Sequence, residues 1–331
     1  MEIKQMINRF KILSLSLFTI MMISSCDSQP KDEQQTEQQA SKPRVALIMK
    51  SLANEFFVNM AEGAKAHQLA HSEQYELIVN GIKNESDLAQ QVALIDQMIA
   101  SKVDAIVIAP ADSKAIVPAL ARAEKAGIKV VNIDNRLDDT VLNEFSMKIP
   151  HVGPDNKSGA RLVGDYLTKT LTAGDQVAIL EGIQSSINSI ARRDGFKESA
   201  EAAGLNVVTI QSASWDQTKA AELTSAILIQ YPELKAIMAA NDNMALGAVS
   251  AVMQSSDQRK ISIVGFDNIS AIHAQIKEGH VLATADQHGD LLAVYGIEFA
   301  LKMIDGIDAG SGKQTPVDLI TIEQLSEQAA K

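Results

Sequence analysis

The sequence predicts an α/β protein built from two doubly wound parallel-sheet domains. Two observations carry this. Runs that are apolar on both faces, such as "VALIM" and "AIVIA", alternate along the chain with longer amphipathic stretches. That is the pattern of parallel strands covered by helices on both sides. The alternation yields about ten strands, where one sheet ordinarily holds four to six, so two sheets account for it better than one. A length of 331 residues, 46% of them apolar, and a mean hydropathy of zero are in keeping with two globular domains.

The elements follow in order from Arg44. "RVALIM" reads as a buried strand and "EFFVNMAEGAKAHQLA" as a helix. "YELIVNG" is a strand, and "ESDLAQQVALIDQMIAS" a helix with Ser86 and Asp87 as capping candidates. "DAIVIAP" is a strand, "SKAIVPALARAEKAG" a helix closing on Gly127, and "KVVNID" a strand. The pattern then restarts. The helices "PDNKSGARLVGDYLTKTL", "INSIARRDGFKESAEAAG", "DQTKAAELTSAILIQYP", "NMALGAVSAVMQ" and "ISAIHAQIKEG" alternate with the strands "DQVAIL", "NVVTIQSA", "KAIMAA", "ISIVGF" and "VLATAD".

The segment ahead of Arg44 reads differently. Lys4, Arg9 and Lys11 precede an apolar stretch from Ile12 to Ile23, and small residues lead to Cys26, the layout of a secretory signal over residues 1–25. "ISSC" resembles a bacterial lipobox, whose cysteine becomes the lipid-bearing first residue and anchors the chain to a membrane. Cys26 is the one cysteine, so no disulfide can form within the chain. Residues 26–43, polar and rich in glutamine, bury too little to fold and read as a tether. The net charge of −11 and the lack of a basic cluster exclude a nucleic-acid partner.

In open parallel sheets, ligands bind outside the carboxyl ends of the strands. Those exits carry Asn54, Phe56 and Phe57, then Asp112, then Asp134, Asn135 and Arg136. In the second half they carry Trp215, Asn241, Asp242, Asp267, Asn268 and Gln287. Taken singly, an Asp or Asn ahead of a helix is a cap and a Phe after a strand is core. Gathered at one end of two sheets, they make a mixture suited to a neutral sugar. Its hydroxyls both donate and accept, and its C–H face lies on an aromatic wall.

"SLANEFF", "IDN", "GPDNKSGARLVGDYL", "ARRDGF", "ASWDQT", "AANDNMALGA", "IVGFDN" and "ATADQ", in that order, give the chain from about Arg44 onward a resemblance to the periplasmic sugar-binding proteins of the ribose-binding type, which feed ABC importers. The resemblance implies the type I periplasmic binding protein fold, with a three-strand hinge crossing near Asp155, Gln287 and Asp318. It implies an N-terminal domain of residues 44–154 and 288–317 and a C-terminal domain of 155–287 and 318–331. It also implies sugar contacts at Asn54, Phe56, Phe57, Asp134, Arg192, Trp215, Asn241, Asp267 and Gln287. Asn135 stands where ribose binders carry arginine. Asn188 stands where the glucose/galactose branch carries an acid. Both are candidate contacts, and a pentose, a hexose or a sugar alcohol all stay open. Phe57 with Phe56 would form one wall of the slot and Trp215, at the cleft rim, the other. The implied protein is monomeric, needs no cofactor or metal, and delivers its ligand to a membrane permease from the periplasmic side of the inner membrane.

An enzyme is the main rival. No G-x-S-x-G elbow is present, and "AGSGKQT" fails as a phosphate loop at Ile307 and Gln314. His67 and His71 have helical spacing but no evident third metal ligand. A sensory protein that presents the bound sugar to a membrane receptor would use the same cleft. The related two-domain repressors carry a DNA-binding headpiece where this chain has a signal and an acidic tether.

Overall fold

The computed structural model describes residues 41–255 and 259–329; the signal, Cys26 and the tether as far as residue 40 lie outside them. The chain runs β1 (Arg44–Ser51), α1 (Glu55–Ala70), β2 (Glu76–Ile82), α2 (Leu88–Ala100), β3 (Ala105–Ile108), α3 (Val117–Lys125), β4 (Lys129–Ile133), α4 (Asp139–Glu144) and β5 (His151–Pro154). It continues α5 (Asn156–Thr168), β6 (Gln176–Glu181), α6 (Ile187–Ala202), β7 (Asn206–Ser212), α7 (Gln217–Gln230), β8 (Leu234–Ala239), α8 (Asp242–Gln254), β9 (Ser262–Val264) and α9 (Ser270–Lys277). β10 (Thr284–Asp286), α10 (Gly289–Ile304), β11 (Gly312–Thr315), β12 (Asp318–Ile320) and α11 (Ile322–Ala329) follow.

Two parallel sheets result. One has the order β11-β5-β4-β3-β1-β2 and the other β7-β6-β8-β9. β10 and β12 form a short antiparallel pair, Thr284 opposite Ile320 and Asp286 opposite Asp318. After β10 the chain returns to the first sheet, where α10 packs on α1 and β4 and β11 pairs with β5. This is the expected α/β class, with two parallel sheets covered by helices.

Strand periodicity splits the first sheet's burial between two cores. Val45, Leu47 and Met49 of β1 face the core shared with α1 and α10, and Ala46 and Ile48 face the one beneath α2 and α3. A strand buried on both faces must be apolar throughout, which is why β1 reads as a continuous run.

Local chemistry sets the helix starts, and two differ from expectation. α2 begins at Leu88, because the Asp87 side chain accepts from Gln90 N at 3.0 Å and ends the preceding loop there. Glu85 is thereby left outside the helix. α3 begins only at Val117, with Pro118 in its first turn, where a missing N–H is harmless. It closes on Gly127 at φ +86, as expected. The last strand, β12, stops at Ile320, and helix α11 follows. α4, β5, α10, β11 and α11 are elements beyond the alternation read from the sequence. His67 and His71 stack at 4.2 Å, with His67 Nδ1 hydrogen-bonded to the Tyr75 hydroxyl, and the described residues hold no metal-ligating cluster.

Candidate ligand-binding site

A slot with about 240 Å³ of empty space opens where the carboxyl ends of the two sheets' strands meet. It is lined by Lys50, Asn54, Phe56, Phe57, Glu85, Asp134, Asn188, Arg192, Trp215, Asn241, Asp267 and Gln287.

Glycines let the aromatic walls sit where they do. A Cβ on Gly182, just past β6, would lie 2.1 Å from Trp215 Cε2, so the indole rests directly on bare backbone. A Cβ on Gly289 would lie 2.5 Å from Phe56 Cε2. Phe56 and Phe57 meet edge to face, centroids 5.1 Å apart. Trp215 is 3% exposed, so it is a buried wall rather than a rim residue. Its backbone is left-handed at φ +67, as are Asp134 at +59 and Asp267 at +123. Such conformations cost about 1–3 kcal/mol each in non-glycine residues and gather where a site demands them.

Several polar residues both cap and line. Asn54 Oδ1 accepts from Phe56 N at 3.1 Å and its Nδ2 donates to Glu85 Oε1 at 3.0 Å. Asn241 Oδ1 accepts from Met244 N at 2.9 Å. The cap fixes each side chain, and its remaining polar capacity is left for the slot. Arg192 is buried, its guanidinium 3.8 Å from the Phe266 ring centroid. It donates to Asn156 Oδ1 at 2.7 Å, to the Ala240 carbonyl at 2.9 Å and to Asp267 Oδ1 at 3.3 Å. Gln287 Nε2 donates to the same Asp267 oxygen at 2.7 Å. Lys50 Nζ lies 3.5 Å from Asp134 Oδ2 and 3.9 Å from Glu85 Oε2, and 5.6 Å from the rings of both Phe57 and Trp215.

Burial pushes the Asp267 carboxyl well above its usual range despite the Arg192 charge, and raises Glu85 against Lys50. The same burial pulls Arg192 down against the attraction of Asp267. Burial thus disfavours the charged forms of Asp267, Glu85 and Arg192, which suits an uncharged ligand.

Five slot atoms are buried without a hydrogen-bond partner: the donors Arg192 Nη2 and Trp215 Nε1, and the acceptors Asp134 Oδ2, Asn188 Oδ1 and Gln287 Oε1. A buried polar atom without a partner costs about 1–3 kcal/mol, so so many in one place point to a bound polyhydroxyl molecule.

The model of the periplasmic binding protein domain matches residues 45–308. The D-ribose/D-allose-binding protein of Pseudomonas aeruginosa is 48% identical over 315 residues, covering 94% of this chain and 99% of its own length. The chain belongs to the periplasmic binding protein domain family. Two solved structures resemble this periplasmic binding protein throughout. An ABC transporter solute-binding protein of Burkholderia multivorans is 53% identical, with a TM-score of 0.83 over 85% of this chain and 100% of its own. One from Actinobacillus succinogenes, with bound D-allose, is 36% identical, with a TM-score of 0.81 over 86% of this chain and 100% of its own. The periplasmic binding protein described here is the substrate-binding component of an ABC-type sugar importer, not an enzyme.

The structure brings ten of the sequence candidates to the slot of this periplasmic binding protein and leaves out Asn135. That side chain is fully buried and occupied elsewhere. Its Nδ2 donates to the Pro110 carbonyl at 3.1 Å, and its Oδ1 accepts from Ser113 Oγ and Asn188 N, both at 3.3 Å. Arg136, one step on, turns outward to Asp139. Asp112 accepts from Lys114 N and Ala115 N ahead of α3. Lys50 and Glu85 were missed. Lys50 was hidden in a strand, where a lone cation among apolar residues was the available signal. Glu85 stands in an expected helix, although it follows β2 as other lining residues follow their strands.

Proposed function

We propose that the slot binds one neutral aldose of the ribo configuration, D-allose or D-ribose, as its pyranose ring. D-Allopyranose is D-ribopyranose with an added hydroxymethyl group, so one set of hydroxyl contacts serves both. The observation that carries a neutral polyhydroxyl ligand is the set of five buried slot atoms that lack a hydrogen-bond partner, two donors and three acceptors, and the ribo configuration is taken from the relatives. The named ligands of the relatives, D-ribose and D-allose in one and D-allose in another, agree with it.

Residues 44–154 with 288–317 form the N-terminal domain, and 155–287 with 318–331 the C-terminal one. They close on the sugar about a three-strand hinge near Asp155, Gln287 and Asp318. The protein acts as a monomer, anchored through lipid on Cys26 after removal of residues 1–25, and serves a permease from the periplasmic side of the inner membrane. The "ISSC" motif and the polar tether support the anchor.

A thermal-shift screen of the mature protein against D-allose, D-ribose, D-glucose and myo-inositol tests the ligand. A bound ligand must raise the melting temperature, by about 2.7 kcal/mol of stability at a hundred times its Kd. D-Allose and D-ribose are expected to shift it most. A shift by D-glucose or myo-inositol alone would overturn the assignment.

A further inference from the structure

Four of the described helices, α3, α6, α9 and α10, start with no hydrogen bond from their own N-cap side chain. At α6 and α9, on the second sheet, the missing acceptors come from across the cleft. Ser270 N and Ala271 N, opening α9, donate to Glu55 Oε1 at 2.7 Å and Oε2 at 3.4 Å. Glu55 is the first residue of α1, more than two hundred positions earlier. Ile187 N, opening α6, donates to Ser113 Oγ at 3.0 Å, and Asn188 N donates to Asn135 Oδ1 at 3.3 Å. Neither Glu55, Ser113 nor Asn135 lines the slot.

An exposed helix start loses little by being capped with water, so a protein has no need to cap it from another domain unless the two meet. A carboxylate on a helix N-terminus is favoured by both hydrogen bonding and the helix dipole. Burial pushes the Glu55 carboxyl up, but the hydrogen bonds from Ser270 and Ala271 outweigh it and hold the group below its usual range. The capped helices are also those that serve the sugar. α6 carries Asn188 and Arg192, and α9 follows the loop of Asp267.

We propose that Glu55, Ser113 and Asn135 are positioning residues that hold the cleft shut, by capping α9 and α6 in trans only when the domains close. The proposal rests on the closing reading above. It gives Asn135 a role that contact with sugar does not.

The test uses Glu55→Ala, Glu55→Gln and Ser113→Ala in the mature protein, with D-allose and D-ribose as probes. Calorimetry gives Kd, stopped-flow fluorescence the dissociation rate, and small-angle scattering the contraction on binding. Loss of a cap corresponds to about 2- to 30-fold weaker binding at 1.4 kcal/mol per decade. Glu55→Ala should show a loss in that range, carried by faster dissociation, with the melting temperature of the sugar-free protein unchanged; Ser113→Ala, which also gives up its hydrogen bond to Asn135, should show the same faster dissociation. Glu55→Gln, which keeps an acceptor, should recover part of the affinity. Unchanged Kd in Glu55→Ala and Ser113→Ala, beside a wild type that contracts on binding, would overturn the capping device alone. An equal loss of sugar-free stability would overturn it too, by showing the caps present without closure. A wild type that binds neither sugar, or binds without contracting, would instead sink the closing reading and the device with it.

Discussion

Replacing Trp215 by alanine removes one wall of the slot. One face of the indole is committed to Gly182, whose absent Cβ would lie 2.1 Å away. The slot receives the rest, including the unpartnered Nε1. Stacking and burial lost with a central aromatic cost about 2–4 kcal/mol of binding. At 1.4 kcal/mol per decade that is roughly thirty- to a thousand-fold in Kd. Because Trp215 is 3% exposed, the substitution should also lower stability, by up to about 3–5 kcal/mol. Binding must therefore be measured where the variant is folded, by calorimetry with D-allose at a temperature at which circular dichroism matches wild type. Trp215→Phe, which keeps an aromatic face and loses the Nε1 donor, should fall between the two. As the sole tryptophan, Trp215 should also report sugar binding to the wild type by a change in fluorescence. A folded Trp215→Ala protein that binds D-allose as tightly as wild type would refute the reasoning, leaving the indole a core residue with no part in recognition.

Arg192→Ala leaves Asp267 without its buried cation and should destabilise the protein by about 3–5 kcal/mol, read from urea unfolding, besides abolishing measurable sugar binding. Burial pushes the Asp242 carboxyl up to about 7, against hydrogen bonds from Thr284 and the Ile269 amide. A folded-state pKa above the unfolded value of about 3.9 makes this group's contribution greatest below pH 4. It is lost progressively up to about pH 7 and is constant above. Asp242→Asn should therefore show a smaller fall in urea midpoint than wild type between pH 4 and pH 7; identical falls would refute the shift. Cys26→Ser should move the protein from the membrane to the soluble fraction or block its processing, and unchanged membrane partition would count against lipidation.

Much of the slot is legible in the sequence, because in open parallel sheets ligand sites lie just past the carboxyl ends of the strands. Once the strands were recognised by their apolar runs, the residues just past them were candidates by geometry alone. Asn54, Asp134, Trp215, Asn241, Asp267 and Gln287 all follow strands and all line the slot. Asn54 and Asn241 both cap a helix and line the slot. A side-chain amide has an oxygen for the helix start and a nitrogen left for other partners.

The alternation of buried strands and amphipathic helices was a local property, and the sequence by itself determined it: periodicity and caps are set by neighbours along the chain. Tertiary structure alone decided the rest. Asn135 sits beside Asp134 in sequence, yet its side chain faces the start of α6, because the left-handed turn at Asp134 sends the two in different directions. Lys50 became a slot residue only when folding set it among the acids and rings of four other segments. Glu55 looked like the first turn of its own helix, and caps another one far along the chain. Such partners are chosen by where the loops of the two sheets meet in space, and no pattern of neighbouring residues encodes that meeting.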